Sequence, residues 1–405
     1  MKLAFFNFNY PPDLCAGSFR AAALVNELSK KLSTDDEIHV ITTFPNRYSS
    51  YHVDVSKEVI SGNIIIHRIE TPAHKSGMLS QAWSFFVYAY RAILYAFKIK
   101  PTFLMCTTSR LMTGILTWFA ALLLRKKYFI DIRDIFSETI SDIFSLKSKI
   151  LGYLCKSIFS FIEKIIFKNS AGVNVVSEGF LDYFQQAGIN TTKWTCFSNG
   201  VDDEFTTIDI NLKKKQQNEF ITILYAGNIG SGQGLENILP GLATKLGDQF
   251  KIKVIGDGGM KTLLDDRISQ ENTSNIEIIA PMNRKNLIAQ YLESDILFLH
   301  LNNLPAFKRV LPSKIFEYAA LGKPIVAGLD GYSAKFVSEN IKYGCVFLPC
   351  DIDSAVTCIN SMCQIDVDID DLTEFVEKFS RKKIMGEMSY HLLDVINKNT
   401  KNKVH

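Results

Sequence analysis

The stretch Leu311-Pro312-Ser313-Lys314-Ile315-Phe316-Glu317-Tyr318-Ala319-Ala320-Leu321-Gly322-Lys323-Pro324-Ile325-Val326 carries the reading of this chain. Pro312 has no N–H to donate and suits a first helical turn, while Gly322 supplies a left-handed stop. The apolar run from Pro324 to Gly328 then reads as a buried strand. A helix start directs free N–H groups and partial positive charge at whatever precedes it. Ser313 and Lys314 add a hydroxyl and a cation there. Glu317, about one turn in, reads as a lone carboxylate beside Ile315, Phe316 and Leu321. Such an arrangement suits a nucleotide diphosphate, with N–H groups for phosphate and Glu317 for ribose hydroxyls. An ordinary capped surface helix has the same local pattern, so the surroundings must decide.

Outward from this motif, strands and helices alternate. In the same half, strands are expected at Ile221–Ala226, Lys251–Ile255, Ile276–Ile279, Ile296–Leu299 and Val346–Leu348. Helices Leu235–Leu246, Met260–Ser269 and Arg284–Glu293 fall between them. The first half repeats the pattern with strands Lys2–Phe8, Glu37–Thr42, Ile64–Arg68, Phe103–Thr107, Tyr128–Ile132 and Gly172–Val176. Its helices are expected at Ser18–Leu32, Leu79–Lys98, Met112–Leu124 and Leu146–Lys168. Alternation of this kind predicts α/β architecture, two doubly wound parallel sheets with helices on both faces. The polar run Asn211–Asn218 is the expected linker, and a ligand is expected in a cleft at the strand C-terminal ends. The boundaries are placed at 1–205, 206–375 and 376–405, the last a helix and tail packing back on the first domain.

At 405 residues the chain exceeds one ordinary core. Its 47% hydrophobic and 21% charged residues indicate a globular protein, and a net charge of +3 does not announce a nucleic-acid partner. Eight scattered cysteines without a Cys-x-x-Cys pair are expected to be reduced packing residues of a cytoplasmic protein. Met1–Phe8 lacks the long apolar region of a secretory leader. Leu111–Leu124 is the most apolar stretch, but as a helix it spans only about 21 Å, against roughly 30 Å of bilayer hydrocarbon. It is expected to be a buried domain helix.

Both first-strand loops carry glycine. Gly17 lies between Pro11-Pro12 and the helix holding Arg20, and Gly227, Gly230, Gly232 and Gly234 follow a strand and open a helix. Loops of this type wrap phosphates with backbone N–H groups, although a plain tight turn has the same composition.

Together these segments resemble family 4 glycosyltransferases, in the branch with a Pro-Ser-Lys-x-x-Glu-Tyr pattern found among O-antigen, capsule and L-fucosamine-type transferases. The matching residues are Tyr10 to Arg20, Ser198-Asn199-Gly200-Val201-Asp202, Tyr225 to Gly230, Gln233-Gly234-Leu235-Glu236 and Ile255-Gly256-Asp257-Gly258. The resemblance implies the GT-B fold and retaining transfer of a hexosyl residue, N-acetylated or deoxy, from a UDP-sugar. It implies no metal and no cofactor beyond the nucleotide-sugar donor. The implied acceptor is a polyprenyl-diphosphate-linked saccharide at the cytoplasmic face of a bacterial membrane. On the donor side it places Gly17, Gly227, Asn228, Gly230, Gln233, Gly234, Asp257, Lys308, Arg309, Pro312, Ser313, Lys314 and Glu317.

Two departures stand out. Family members often hold the diphosphate with Arg and Lys in the glycine loop, where this chain has neutral Asn228 and Gln233. Lys308, Arg309 or Lys314 would then meet the phosphate charge. The first glutamate of the family's pair is replaced by Arg309, leaving Glu317 as the second. Asp131 and Asp134, at the end of strand Tyr128–Ile132, are candidate bases, with Glu138 a weaker one. Arg20 and Arg133 are assigned to the acceptor side. An Asp131–Arg133 or Arg133–Asp134 pair that merely fixes the loop is the alternative. The Asp-x-Asp strings at 351–353, 366–368 and 368–370 read as solvated acids, and the seven histidines lack zinc-ligand spacing.

Helix Leu146–Lys168 and the region Met78–Lys100 mix aromatic and apolar residues with lysine and arginine, which fits peripheral docking at an anionic membrane. Burial is the alternative, favoured for the second half of Leu146–Lys168. Two rival functions are a nucleotide-sugar 2-epimerase and a catalytically degenerate binding subunit of an assembly complex.

Overall fold

Every residue of strand β1 (Lys2–Phe6) beyond Lys2 is buried, as expected of a strand covered on both faces. The computed structural model to which it belongs describes residues 1–45, 53–72, 78–108, 111–135, 137, 148–206, 219–365 and 367–400. The linker run 211–218, Glu138 and Asp366 lie outside the described residues.

The chain divides into two compact units, Met1–Ser198 with Lys382–His405, and Asn199–Arg381. In the first unit β1 is joined by β2 (Glu37–Thr43), β3 (Glu58–Ser61), β4 (Ile64–Ile69), β5 (Phe103–Thr108), β6 (Tyr128–Ile132), β7 (Gly172–Val175) and β8 (Thr195–Cys196). Their order is β3-β4-β2-β1-β5-β6-β7-β8, parallel except for the antiparallel edge pair β3–β4. The C-terminal helix Arg381–Thr400 sends Met385, Met388 and Leu392 into a cluster with Leu3, Phe5 and Phe103.

The second unit is a parallel sheet ordered β11-β10-β9-β12-β13-β14. Its strands are β9 (Ile221–Asn228), β10 (Phe250–Asp257), β11 (Ile276–Ile279), β12 (Ile296–His300), β13 (Ile325–Gly328) and β14 (Gly344–Phe347). Alternate residues feed opposite faces. Leu224, Ala226, Leu297 and Ile325 enter one core, and Ile223, Tyr225, Phe298 and Val326 the other. Each fully buried aliphatic or aromatic side chain contributes roughly 1.5–3 kcal/mol. A one-residue slip would therefore exchange two complete cores, which fixes the register.

Sequence order reverses between β1 and β5 in the first unit and between β9 and β12 in the second. In open α/β sheets ligands bind beyond the strand C-termini at such switch points. The glycine loop follows β9, and the Pro312–Glu317 segment follows β12.

Three expectations need correction. The edge strand β3 and the helices Glu178–Gln186, Tyr332–Asn340 and Ile352–Met362 add to the elements expected above. Helix Leu111–Leu124, expected to be buried, is a domain helix buried on one side only, through Thr113, Leu116, Thr117 and Ala120, with Leu122 60% and Leu123 45% exposed on the other. The cysteines are not all reduced. Packing of helix Ile352–Met362 against β14 brings Cys345 and Cys358 to a Cα separation of 5.7 Å and joins them as a disulfide.

Candidate functional site

In the second unit the decisive motif folds as a short helix, Lys314–Ala319, with Ser313 at its N-cap and Gly322 at φ +56° beyond its end. Pro312 thus precedes the helix rather than opening it. The Ile315 N–H donates to its carbonyl at 3.2 Å. Ile315, Phe316, Tyr318 and Ala319 are buried in the core, and the Ala226 N–H donates to the Tyr318 hydroxyl at 3.1 Å. The motif's tyrosine therefore ties this helix to the end of β9. Lys314 Cε lies 3.4 Å from where a Gly227 Cβ would stand, so the lysine runs against the glycine loop.

Glu317 is not a lone carboxylate. Lys314 Nζ donates to Glu317 Oε2 at 3.0 Å and to the Tyr291 hydroxyl at 3.0 Å, and Tyr291 reaches the same carboxylate at 3.5 Å. Burial alone would raise the Glu317 carboxyl, but Lys314 and Arg284 outweigh it and hold it below the usual range. Burial likewise works against the Lys314 ammonium, yet Glu317 holds it above its ordinary value. Arg284 pairs with Asp202 and, at 2.7 Å, with Glu204, while Arg381 Nε pairs with Asp202 at 2.7 Å. Glu317 is thus a buried anion inside a cationic shell. Tyr291 and Arg284 carry no sequence signal of their own, since both belong to an unremarkable amphipathic helix, Arg284–Glu293.

The glycine loop holds its own polar side chains. Asn228 Nδ2 donates to Gln233 Oε1 at 2.9 Å, so the two neutral residues standing where cations were expected bind each other. Tyr225 donates to the Asn228 carbonyl at 2.7 Å. Gly234 has φ +58°, and a Cβ there would meet Asn302 at 2.8 Å. A Cβ on Gly230 would lie 2.3 Å from Asn228 Nδ2. His300, fully buried at the end of β12, donates from Nδ1 to the Gln233 carbonyl at 2.6 Å and accepts the Cys350 N–H on Nε2 at 2.9 Å. Burial pushes the imidazole down to about 4, so it serves as a neutral two-sided clamp on the loop. Asp257 closes β10 beside Asn228 and accepts from the Gly258 N–H at 2.8 Å.

Of the proposed phosphate cations, Lys314 is the one placed against the loop. Lys308 pairs with Asp330 at 2.7 Å, and Arg309 donates to the Pro305 carbonyl at 3.3 Å. The late acids are used as helix caps. Asp351 accepts from the Ser354 N–H at 3.1 Å and Asp368 from the Asp370 N–H at 2.9 Å.

In the first unit the structure reassigns Asp131 and Arg20. Both side chains are 1% exposed, and Arg20 donates through Nε and Nη2 to the two Asp131 oxygens at 2.8 and 3.0 Å. Asn174 and Thr107 donate to the same carboxylate at 2.7 and 3.1 Å. The remaining Arg20 donors reach the Ser198 and Phe197 carbonyls at 2.6 and 2.8 Å. Although burial raises Asp131, the Arg20 guanidinium and Asn174 hold it low. A carboxylate saturated by four donors and sealed from water serves as a strut in this arrangement. Arg20 is its partner rather than an acceptor contact. Arg133 and Asp134 remain half-buried beyond the end of β6, and Arg133 Nη1 occupies the space that a Cβ on Gly17 would fill, 2.2 Å away. Gly17 thus lies not in the loop after β1 but in the first turn of helix Ala16–Ser29, and the close approach expected for it is made by the Arg133 guanidinium.

Two doubly wound units of this strand order, with the glycine loop at the switch point of the second, have the GT-B fold. Among solved structures, Anabaena Alr3699/HepE in complex with UDP and glucose has a TM-score of 0.68 at 13% identity. The match covers 97% of this chain and 99% of that one. Sucrose-phosphate synthase from Thermosynechococcus elongatus has a TM-score of 0.69 at 12% identity, covering 98% and 97%. The model of the family described as glycosyl transferases group 1 matches residues 207–380, so the second unit carries a domain of that family. The putative colanic acid biosynthesis glycosyl transferase WcaI of Escherichia coli K12 is 32% identical over 112 residues, 27% of each chain. The matched stretch thus spans about a quarter of that curated relative.

Proposed function

We propose that this protein is a retaining, metal-independent glycosyltransferase. It moves a hexosyl residue from a UDP-sugar to a lipid-linked saccharide during assembly of a bacterial surface polysaccharide, O-antigen or capsule, at the cytoplasmic face of the membrane. The observation that carries the reading is the Lys314–Glu317 pair packed against the glycine loop at the second unit's switch point. Glu317 accepts the ribose hydroxyls. Lys314 and the N–H groups around Gly227 and Gly230 meet the diphosphate, which assigns the anion's charge to this chain's own groups. The group 1 domain, the likeness to a colanic acid enzyme and the UDP held by the Anabaena neighbour support this choice of donor. In front-face transfer the leaving phosphate takes the acceptor proton. The engagement of Asp131 with four donors is therefore compatible with the mechanism, and Asp134 is the side chain for orienting the acceptor.

The test is calorimetry of UDP-sugars with the wild-type chain and Glu317→Gln in the presence of chelator, followed by transfer assays on lipid extract. Binding and turnover in the wild type, with both reduced at least about a hundredfold in the variant, is expected. Binding without turnover on any extract would favour a binding subunit. Isomerised donor without acceptor would favour an epimerase. Unchanged activity in the variant would remove Glu317 from the mechanism.

A further inference from the structure

Three neighbouring helices of the first unit, Met78–Ile99, Leu111–Leu124 and Lys149–Asn169, are apolar on the side that faces away from the core. On the first, Trp83, Phe86, Tyr90, Leu94 and Phe97 recur at helical spacing and are 45–62% exposed, while Phe85, Tyr88 and Ala92 fill the core side. On the third, Ile150, Tyr153, Ile158 and Phe161 are 57–75% exposed. Leu122 and Leu123 continue the surface on the helix between them. A solvated helix carries polar residues on its outer stripe, and an apolar patch spanning three helices marks an interaction surface.

Charge selects the partner. These helices carry six cations, Arg91, Lys98, Lys149, Lys156, Lys164 and Lys168, and one acid. That acid, Glu163, is buried and accepts from Ser137 Oγ at 2.7 Å. A second copy docked on this face would set cations against cations. An anionic bilayer instead takes the aromatic and aliphatic tips into its interface and the lysines at its headgroups. None of the described helices is long and apolar enough to cross a membrane.

We propose that this three-helix face docks the protein on an anionic phospholipid surface. The inference refines the membrane partner of the function proposed above and stands without sugar transfer, so the two are tested separately. Flotation of the full chain with phosphatidylcholine vesicles, with and without phosphatidylglycerol, should show binding that needs the anionic lipid. A blue shift of Trp83 emission, abolished by Trp83→Phe, should accompany it. The double substitution Phe86→Ser with Tyr153→Ser should weaken binding at least about tenfold. Lys156→Glu with Lys164→Glu should weaken it by about fivefold or more per cation and reduce the salt dependence. All are surface changes that leave the melting temperature within a few degrees of wild type. Equal binding to neutral vesicles, or full binding by the serine variant, would overturn the proposal. So would a dimer in sedimentation that the same serines dissociate.

Discussion

Lys314 Nζ and Glu317 Oε2 stand 3.0 Å apart across one helical turn, with the Tyr291 hydroxyl completing a triangle around the ammonium. The pair is preorganised, because the carboxylate is held ionised by cations on the same unit before any ligand arrives. A carboxylate kept charged and oriented in this way accepts a diol without reorganising at the moment of binding.

Replacing Glu317 by Gln leaves the Lys314 ammonium without its counter-charge and should destabilise the second unit by roughly 3 kcal/mol. The sign of the pH dependence follows from the depressed carboxyl. Its contribution is fully present above the unfolded value of about 4.3 and is lost as pH falls through the lower folded value. Melting temperature against pH should therefore show an acid limb in the wild type that is shallower in the variant. On the alkaline side, the raised Lys314 contributes until pH exceeds its folded value. Identical acid limbs would remove the pair from the stability of the unit.

Asp131→Asn tests the strut in the first unit. It leaves the Arg20 guanidinium buried with a neutral partner and should cost about 3–5 kcal/mol in urea unfolding. Arg133→Ala, at a half-buried residue, should cost far less. If Asp131 acted as a base, the asparagine variant would lose activity while keeping its denaturation midpoint. The expected result is the reverse ordering, with the midpoint falling first.

Much of this arrangement was legible in the sequence. Tyr128–Ile132, Ile276–Ile279 and Arg284–Glu293 have the expected bounds, because apolar runs flanked by charges specify buried strands and amphipathic helices locally. Glycine at 322 marked the helix stop through its positive φ. What stayed hidden depends on partners distant in sequence. Nothing near Asp131 announces Arg20, 111 residues away, and nothing near Glu317 announces Tyr291. Helix Leu111–Leu124 misled for a related reason. An all-apolar helix reads as buried, and only the packed sheet reveals which half of it faces outward.

His300→Leu removes both hydrogen bonds of the clamp while keeping an apolar side chain in the core. It leaves the Gln233 carbonyl and the Cys350 N–H unsatisfied, so about 2–3 kcal/mol of stability should be lost. If the clamp sets the loop for the donor, KM for the UDP-sugar should rise more than kcat falls. A uniform loss of both would indicate a purely structural role.

Two glycines separate backbone strain from loop geometry. Gly247 has φ +69° with nothing within 4 Å of an added Cβ, whereas Gly234 has φ +58° with Asn302 at 2.8 Å. Asn302 itself is fixed, since its Nδ2 donates to the Ser231 carbonyl at 2.8 Å. Alanine at 247, where φ +69° goes with ψ −169°, meets no neighbour and only the backbone strain of a region reserved for glycine, about 1–3 kcal/mol. Alanine at 234, in the left-handed region with φ +58° and ψ +32°, meets a penalty of roughly 1–2 kcal/mol and must also displace Asn302, which drags Ser231 and the glycine loop with it. Both variants should therefore melt lower, but only Gly234→Ala should weaken UDP binding in calorimetry, by about tenfold or more. Equal nucleotide affinity in the two variants would show that the loop after β9 does not hold the diphosphate, and the donor would have to be gripped without it.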